Sequence, residues 1–271
     1  MREIPLEKPK NIRELGGIET RDGRRVKART LIRSGRLSEL TYADASTLLS
    51  SYRLRTIIDL RSAKECEERP DPQWGIVEYF RVPLLSDEQL GFGTISTETQ
   101  EENRSVFDTL ISMTATPDYP PARYMLDTYR KLVNTPASQK AIRRVFELLG
   151  VQTKGAVLYH CNGGKDRTGI ISALLLTILQ VPWETIAADY IQTNESVSPF
   201  LQKRLDTLPR RYDNPHAREV LRMLYLADMT YLNAAREEMC RLGGTPAGYL
   251  KSVVGVSDFL AEKLQRLYLE E

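Results

Sequence analysis

The apolar positions of this chain change period along its length. Leu54-Arg-Thr-Ile-Ile-Asp-Leu60 and Ala156-Val-Leu-Tyr159 are short apolar runs, β-branched or aromatic in part, and predict buried strands. Glu78-Tyr-Phe-Arg-Val-Pro83 predicts a further strand stopped by its proline. Helical spacing appears in Leu40, Ala43, Leu48 and Leu49 after Ser38 and Thr41, then over Arg123–Val133 and Ser138–Leu149. Thr168–Gln180 is apolar on all sides, the pattern of a helix buried in a core. From Pro182 onward the pattern is helical to the end, with breaks expected at Pro199, Pro209, Pro215, Gly243-Gly244 and Gly255. Residues 1–37 are short and broken, with Asp22-Gly23 marking a hairpin turn between Ile18 and Val26. Strands alternating with helices, followed by a helical tail, predict an α/β fold: a mostly parallel central sheet flanked by helices, with additional C-terminal helices.

The chain has 271 residues, which suits one large domain or two small ones. We expect a single domain over 1–271, with 182–271 as its helical C-terminal part. Residues 86–120 are polar and rich in proline and glycine; they predict a long loop with one helix, and 86–140 a cover over the site. Net charge is +2, which argues against a general nucleic-acid binder. Three cysteines and two histidines, without Cys-x-x-Cys or His-x-x-x-His, argue against a disulfide framework and a zinc site; no metal or cofactor is expected. No apolar stretch is long enough to span a bilayer or act as a signal peptide. These features predict a cytoplasmic protein, with export by a route lacking a signal peptide left open. Oligomeric state is not legible.

The segment with chemistry is Val157-Leu-Tyr-His-Cys161-Asn-Gly-Gly-Lys-Asp-Arg167-Thr-Gly-Ile-Ile. A strand ends at a cysteine, five residues with two glycines follow, and then come Arg167, Thr168 and a helix. Such a turn points several backbone N–H groups at one spot, where a helix dipole also favours an anion. The same field favours a thiolate over a thiol. Asn162, Gly163, Gly164, Lys165 and Asp166 would line a phosphate cradle, with the Arg167 fork gripping two oxygens. Cys161 then lies under the phosphorus for in-line attack. A bare Cys-x5-Arg is a weak signal; set between an apolar strand and an apolar helix it is a strong one.

His160-Cys-Asn-Gly-Gly-Lys-Asp-Arg-Thr-Gly169 resembles the P-loop of the cysteine-dependent protein tyrosine phosphatases. Its ending resembles the bacterial and fungal tyrosine/lipid phosphatase branch related to mycobacterial protein tyrosine phosphatase B. Asn11-Ile-Arg-Glu-Leu-Gly-Gly17, Leu31-Ile-Arg-Ser-Gly-Arg-Leu37, Ile58-Asp-Leu-Arg-Ser62 with Glu65, Asp189-Tyr190 with Thr193-Asn194, and Tyr249-Leu250 with Gly255 are similar to further segments of that branch. The chain departs from it at Asn162 and at Gly163, where Ala is common.

The resemblance implies a phosphomonoester hydrolase that forms a cysteinyl-phosphate on Cys161, stabilised by Arg167. It implies Asp166 as general acid and then base, because no Trp-Pro-Asp tripeptide exists; Asp71-Pro-Gln-Trp74 is not one. Asp59, expected on the same sheet edge, is the rival acid or an orienter of Arg167 or another loop group. Thr168 either hydrogen-bonds the sulfur or caps the helix. His160 is expected to orient the loop. Lys165 is a second cation beside the phosphate that would suit phosphoinositides, which the branch often accepts; phosphorylated proteins and phosphoinositides are the substrate classes. His216 is expected at the surface, and Cys66 and Cys240 inert. Residues 21–36 hold seven basic groups and one acid, Asp22, read first as a solvated hairpin and second as a rim for anionic substrate or a membrane surface. Two other activities fit the same cysteine loop: a silent phosphate-binding module and a rhodanese-like sulfur transferase.

Overall fold

The computed structural model describes residues 2–8, 10–89, 106–152 and 154–270. Among the described residues, six strands form one sheet in the order β1-β2-β3-β6-β4-β5. They are β1 (Arg2–Glu3), β2 (Arg13–Glu14), β3 (Leu31–Ser34), β4 (Leu54–Asp59), β5 (Glu78–Arg81) and β6 (Ala156–His160). β3, β6, β4 and β5 run parallel; β1 and β2 are antiparallel additions at one edge. The sequence reading found β4, β5 and β6 but not the first three. β1 and β2 have two residues each, too few to show a period, and β3 has two apolar residues followed by Arg33 and Ser34, without alternation, although all four are buried.

Period-two alternation gives the sheet two apolar faces. Val157 and Tyr159 of β6, with Leu31 and Ile58, face the main helical core; Ala156 and Leu158, with Ile32 and Ile57, face a smaller core closed by Leu48. A register shift between Leu54 and Thr56 keeps both sides of β4 apolar.

The helices are α1 (Tyr42–Ser46), continued by a π-turn over Thr47–Ser51, α2 (Ala63–Glu68), α3 (Val106–Met113), α4 (Pro121–Asn134), α5 (Pro136–Val151), α6 (Asp166–Ile178), α7 (Trp183–Asp206), α8 (Pro215–Tyr225), α9 (Met229–Gly243), α10 (Pro246–Tyr249), continued by a π-turn over Leu250–Val254, and α11 (Asp258–Tyr268). Thr41 caps α1 in a capping box with Asp44, and Thr135 caps α5 ahead of Pro136. α6 is buried along nearly its whole length, as its apolar composition requires. Pro199 does not break the chain as expected: it lies inside α7 and is exposed, between buried Val197 and Leu201. The other expected breaks fall between elements or at their ends.

α3 lies within the stretch expected to be a loop with one helix; residues 90–105 of that stretch are outside the described ones. α3 is tied to the C-terminal helices: His216 Nε2 is 3.1 Å from Ile111 O, so His216 is half-buried rather than a surface residue. The hairpin at Asp22-Gly23 forms, with Val26 N donating to Ile18 O at 2.9 Å. Arg21 N donates to Gln180 O, just beyond the C-terminal end of α6. The thirteen residues of α6 span about 20 Å, so most of the basic hairpin is at the far end of that helix from the cysteine loop. The second reading of residues 21–36, a rim for substrate, therefore fails for Arg21, Arg24 and Arg25. Among the described residues, no helix is long and apolar enough to cross a membrane.

Candidate active site

The parallel strands β3, β4 and β6 end side by side at Ser34, Asp59 and His160, the sheet edge where ligands of such folds collect. Cys161 leaves β6 there and is only 2% exposed. Residues 162–165 turn into α6, whose first residue is Asp166. Among the described residues, the N–H groups of 162–165 donate to no protein acceptor, the arrangement expected of an anion cradle.

The loop is clamped from outside by its carbonyls. Asn11 Nδ2 donates to Gly164 O at 2.8 Å, and Arg33 Nη2 donates to the same oxygen at 2.9 Å. Arg36 N donates to Asn162 O at 3.0 Å, and Arg36 Nη1 to Asn162 Oδ1 at 3.2 Å. Gly164 has φ +67°, and a Cβ there would come within 2.6 Å of the Ser34–Gly35 backbone, so the close approach of loop and strand requires glycine. Gly163 has open space, so the alanine common at this position in the resembled branch fits without a clash.

Behind these clamps lies a buried charged cluster. Asp189, on α7, accepts from Arg13 Nε at 2.9 Å through Oδ1 and pairs with Arg33 Nη1 through Oδ2. Arg13 also bonds Asn11 Oδ1 and, at 2.6 Å, Asp189 O. Burial and the neighbouring Arg33 guanidinium bring Arg13 down to about 10. Burial opposes ionisation of Asp189, but the two guanidiniums outweigh it and hold the carboxyl below its usual range.

Arg167, 8% exposed, is held by a carboxylate the sequence reading did not place in the site. Glu65 of α2 accepts from Arg167 Nη1 and Nη2 at 2.5 and 2.7 Å. Glu65 also accepts from Ser62 N at 2.9 Å, in a capping box that fixes its position. Despite burial, the Arg167 bonds keep Glu65 below the ordinary carboxylate range. The signal was present: Ser62-Ala-Lys-Glu65 is a capping-box pattern one turn beyond the strand edge. We predict that Glu65→Gln, which keeps the shape but releases one arm of the fork, lowers kcat/KM for p-nitrophenyl phosphate by about 10- to 100-fold through misplacement of Arg167. An unchanged kcat/KM in a steady-state assay would show that Arg167 holds its position alone.

Asp59 does not meet Arg167, contrary to expectation. Its carboxylate accepts from Arg61 N, Nε and Nη2 and from the Cys66 thiol at 3.2 Å. Burial opposes its charge, yet His160 and Arg61 bring it down to about 2, so it carries no proton to give at neutral pH. Cys66 is the converse case: burial and the Asp59 charge push its thiol up to about 12, so it is no nucleophile. All three cysteines are free. Asp59, Asp71 and His160 converge, but Arg61 Nη2 bridges the two carboxylates at 2.7 Å each and supplies the positive charge between them. His160 is fully buried, with Nδ1 3.3 Å from Cys161 O and Nε2 3.0 Å from Asp71 Oδ2.

Asp166 is partly exposed. Its Oδ1 accepts from Tyr129 OH at 2.7 Å and from Lys165 Nζ at 2.6 Å. Tyr129, buried in α4, is itself 2.6 Å from Tyr190 OH, so this oxygen is pinned by a tyrosine pair that sequence reasoning missed. Lys165 is not a free cation beside the cradle: it is buried, and its ammonium is held by Asp166 and by Met223 O. Thr168 does not cap α6, whose N-cap is Lys165; its hydroxyl is buried without a hydrogen-bond partner.

A buried cysteine, loop amides without protein acceptors at a helix start and a fixed arginine thus converge at one sheet edge. A model of the tyrosine phosphatase family matches residues 4–270. The triple specificity protein phosphatase PtpB of Mycobacterium tuberculosis is 30% identical over 267 residues, covering 88% of this chain and 90% of that protein. A tyrosine-protein phosphatase of Nostoc commune is 32% identical over 167 residues, 61% of this chain and 48% of that protein. The family match covers the sheet, the cysteine loop and the helical C-terminal part together, and the chain belongs to the tyrosine phosphatase family.

Proposed function

We propose that the protein hydrolyses phosphate monoesters by double displacement at sulfur, with tyrosine-phosphorylated protein as the first substrate class. The observation that carries this reading is the arrangement of Cys161 beneath free N–H groups with Arg167 clamped beside it. The Cys161 thiolate attacks phosphorus and the phenolate leaves; water then cleaves the S–P bond, releasing phosphate and restoring the thiolate. The loop amides and Arg167 take up charge on the equatorial oxygens in both steps. Similarity to a triple specificity protein phosphatase supports a broad substrate range here, with phosphoserine and phosphoinositides behind phosphotyrosine.

A phenolate leaving group, near pKa 10, profits from a proton in the transition state. Asp166 is the carboxyl inside the loop, and we assign it as acid in the first step and base toward water in the second. Tyr129 and Lys165 both occupy Oδ1, which leaves Oδ2 for the leaving oxygen. Asp166→Asn is expected to lower kcat for a phosphotyrosine peptide by about 10²- to 10⁴-fold and to cost far less with an activated aryl phosphate, whose phenolate leaves unaided. Equal losses on both substrates would remove Asp166 from proton transfer.

The test of the function as a whole is phosphate release in EDTA from p-nitrophenyl phosphate, phosphotyrosine and phosphoserine peptides and phosphoinositides. Turnover with phosphotyrosine foremost is expected. Binding of vanadate with no turnover of any substrate would make the chain a phosphate-binding module; sulfur transfer from thiosulfate without phosphatase activity would make it a sulfur transferase.

A further inference from the structure

Lys165 is committed to Asp166, yet positive charge gathers on the opposite side of the cradle. The absent Cβ of Gly35 marks the place: that one point is 3.0 Å from Lys10 O and 3.2 Å from Asn162 O, so Lys10 and the exposed loop residue Asn162 lie on either side of it. Gly35 N donates to Lys10 O, which fixes the Lys10 backbone to the strand end. Arg36 reaches Asn162 Oδ1 from the same side.

The Lys10 ammonium sits 4.0 Å over the ring of Phe200 on α7. Lys203 and Arg204 follow Phe200 by three and four positions, hence on the same helix face. Both are exposed. Burial, then Arg36, Arg204 and Lys203, lower the Lys10 ammonium below its usual range, as expected where cations are crowded. Among the described residues, Lys10, Lys203 and Arg204 form no ion pair, and Glu39, bound to Arg36, is the acid among them.

We propose that Lys10, Arg36, Lys203 and Arg204 form a second anion subsite beside Asn162, taking a further phosphate of a multiply phosphorylated ring of the inositol bisphosphate type. A peptide carboxylate carries one charge and would be matched by one of these groups. A phosphate monoester carries nearly two charges and three acceptor oxygens, and it matches a cluster of four cations of which Arg36 alone is paired with an acid. The subsite sits next to the reacting phosphoryl group, so a substrate bearing two phosphates on one small ring would meet the cradle and the patch together. The kinetic part of this proposal rests on the phosphatase reading; the binding part does not.

The test uses the full chain with Lys203→Glu/Arg204→Glu, and Arg24→Glu/Arg25→Glu as a control of equal charge change at the far end of α6. The ratio of kcat/KM for soluble inositol 1,4-bisphosphate to that for p-nitrophenyl phosphate should fall at least about tenfold in the α7 variant and stay within about twofold in the control. A short-chain lipid carrying the same headgroup should lose the same factor. An equal fall in both variants would reduce the effect to overall charge. A loss with the lipid alone would make the patch a membrane contact, and a larger loss on an acidic phosphotyrosine peptide would make it a peptide surface; each result overturns the proposal, as does an unmoved ratio. In the Cys161→Ser background, calorimetry should show inositol 1,4-bisphosphate binding weakened about tenfold by the α7 substitutions. That arm decides the subsite even if no phosphomonoester is turned over, a result that would overturn the catalytic reading instead.

Discussion

Cys161→Ser should reduce turnover of p-nitrophenyl phosphate by at least about 10⁴-fold while leaving the fold and the anion cradle intact. The substitution replaces sulfur with a far weaker oxygen nucleophile. Among the described residues, the neighbouring candidates cannot take over: Cys66 has a thiol pushed up to about 12, and Asp59 is consumed by Arg61. The groups proposed to bind phosphate are backbone amides and Arg167, and the substitution touches neither. Phosphate or vanadate should therefore bind the variant within a few-fold of the parent. Serine is slightly smaller than cysteine, and its hydroxyl at a 2% exposed position costs about 1–3 kcal/mol if it finds no partner. Stopped assays at high enzyme concentration, with titration of vanadate, measure both properties. Residual turnover above one part in a hundred, free of contaminating phosphatase, would place the nucleophile elsewhere.

The largest stability effect is expected at Asp189. Asp189→Asn leaves the Arg13 and Arg33 guanidiniums buried against a neutral amide, and removing one partner of such a cluster costs about 3–5 kcal/mol. Because Arg33 also holds Gly164 O, the loop loses a clamp in the same variant, and kcat/KM should fall even where the variant is fully folded. The pH dependence follows from the sign of the shift. The folded carboxyl lies below its unfolded value, so Asp189 contributes its full stability above the unfolded pKa, near 4. That contribution is lost as pH falls through the folded value. Urea denaturation at pH 7 and pH 3 should therefore show a gap between parent and variant that narrows at the acidic pH. A constant gap would mean that the aspartate acts by packing alone.

The candidate site is legible where its parts are consecutive: Cys161, the two glycines and Arg167 lie between a strand and a helix whose apolar patterns are plain. What was not legible comes from residues that meet across the chain. Glu65 carries the arginine-orienting role that Asp59 was expected to fill, because strand-edge position says which end of the sheet a residue occupies but not which guanidinium its carboxylate meets. Tyr129 looked like one apolar member of a helix stripe, and its hydroxyl finds Asp166 only after α4 docks on α6. Lys165 reads from sequence as a second cation beside the phosphate, and no sequence pattern announces Met223 O as its partner. β3 escaped for a different reason: two of its four residues are polar, yet all four are buried, since Arg33 spends its charge on Asp189. Pro199 read as a break because exposure, which decides whether a proline is tolerated, is a tertiary property.

The order of the sheet also governs how the molecule is made. β6, which carries the nucleophile, lies between β3 and β4, yet residues 156–160 are synthesised long after residues 31–34 and 54–59 that flank them. On the ribosome the first strands emerge with apolar flanks and no central partner, so the sheet stays open until more than half the chain has been made. Parallel pairings of such sequence separation close slowly and keep strand edges unpaired meanwhile. Production of the protein should therefore depend strongly on translation speed and growth temperature. Fragments ending before residue 160 should collect in aggregates rather than as soluble domains.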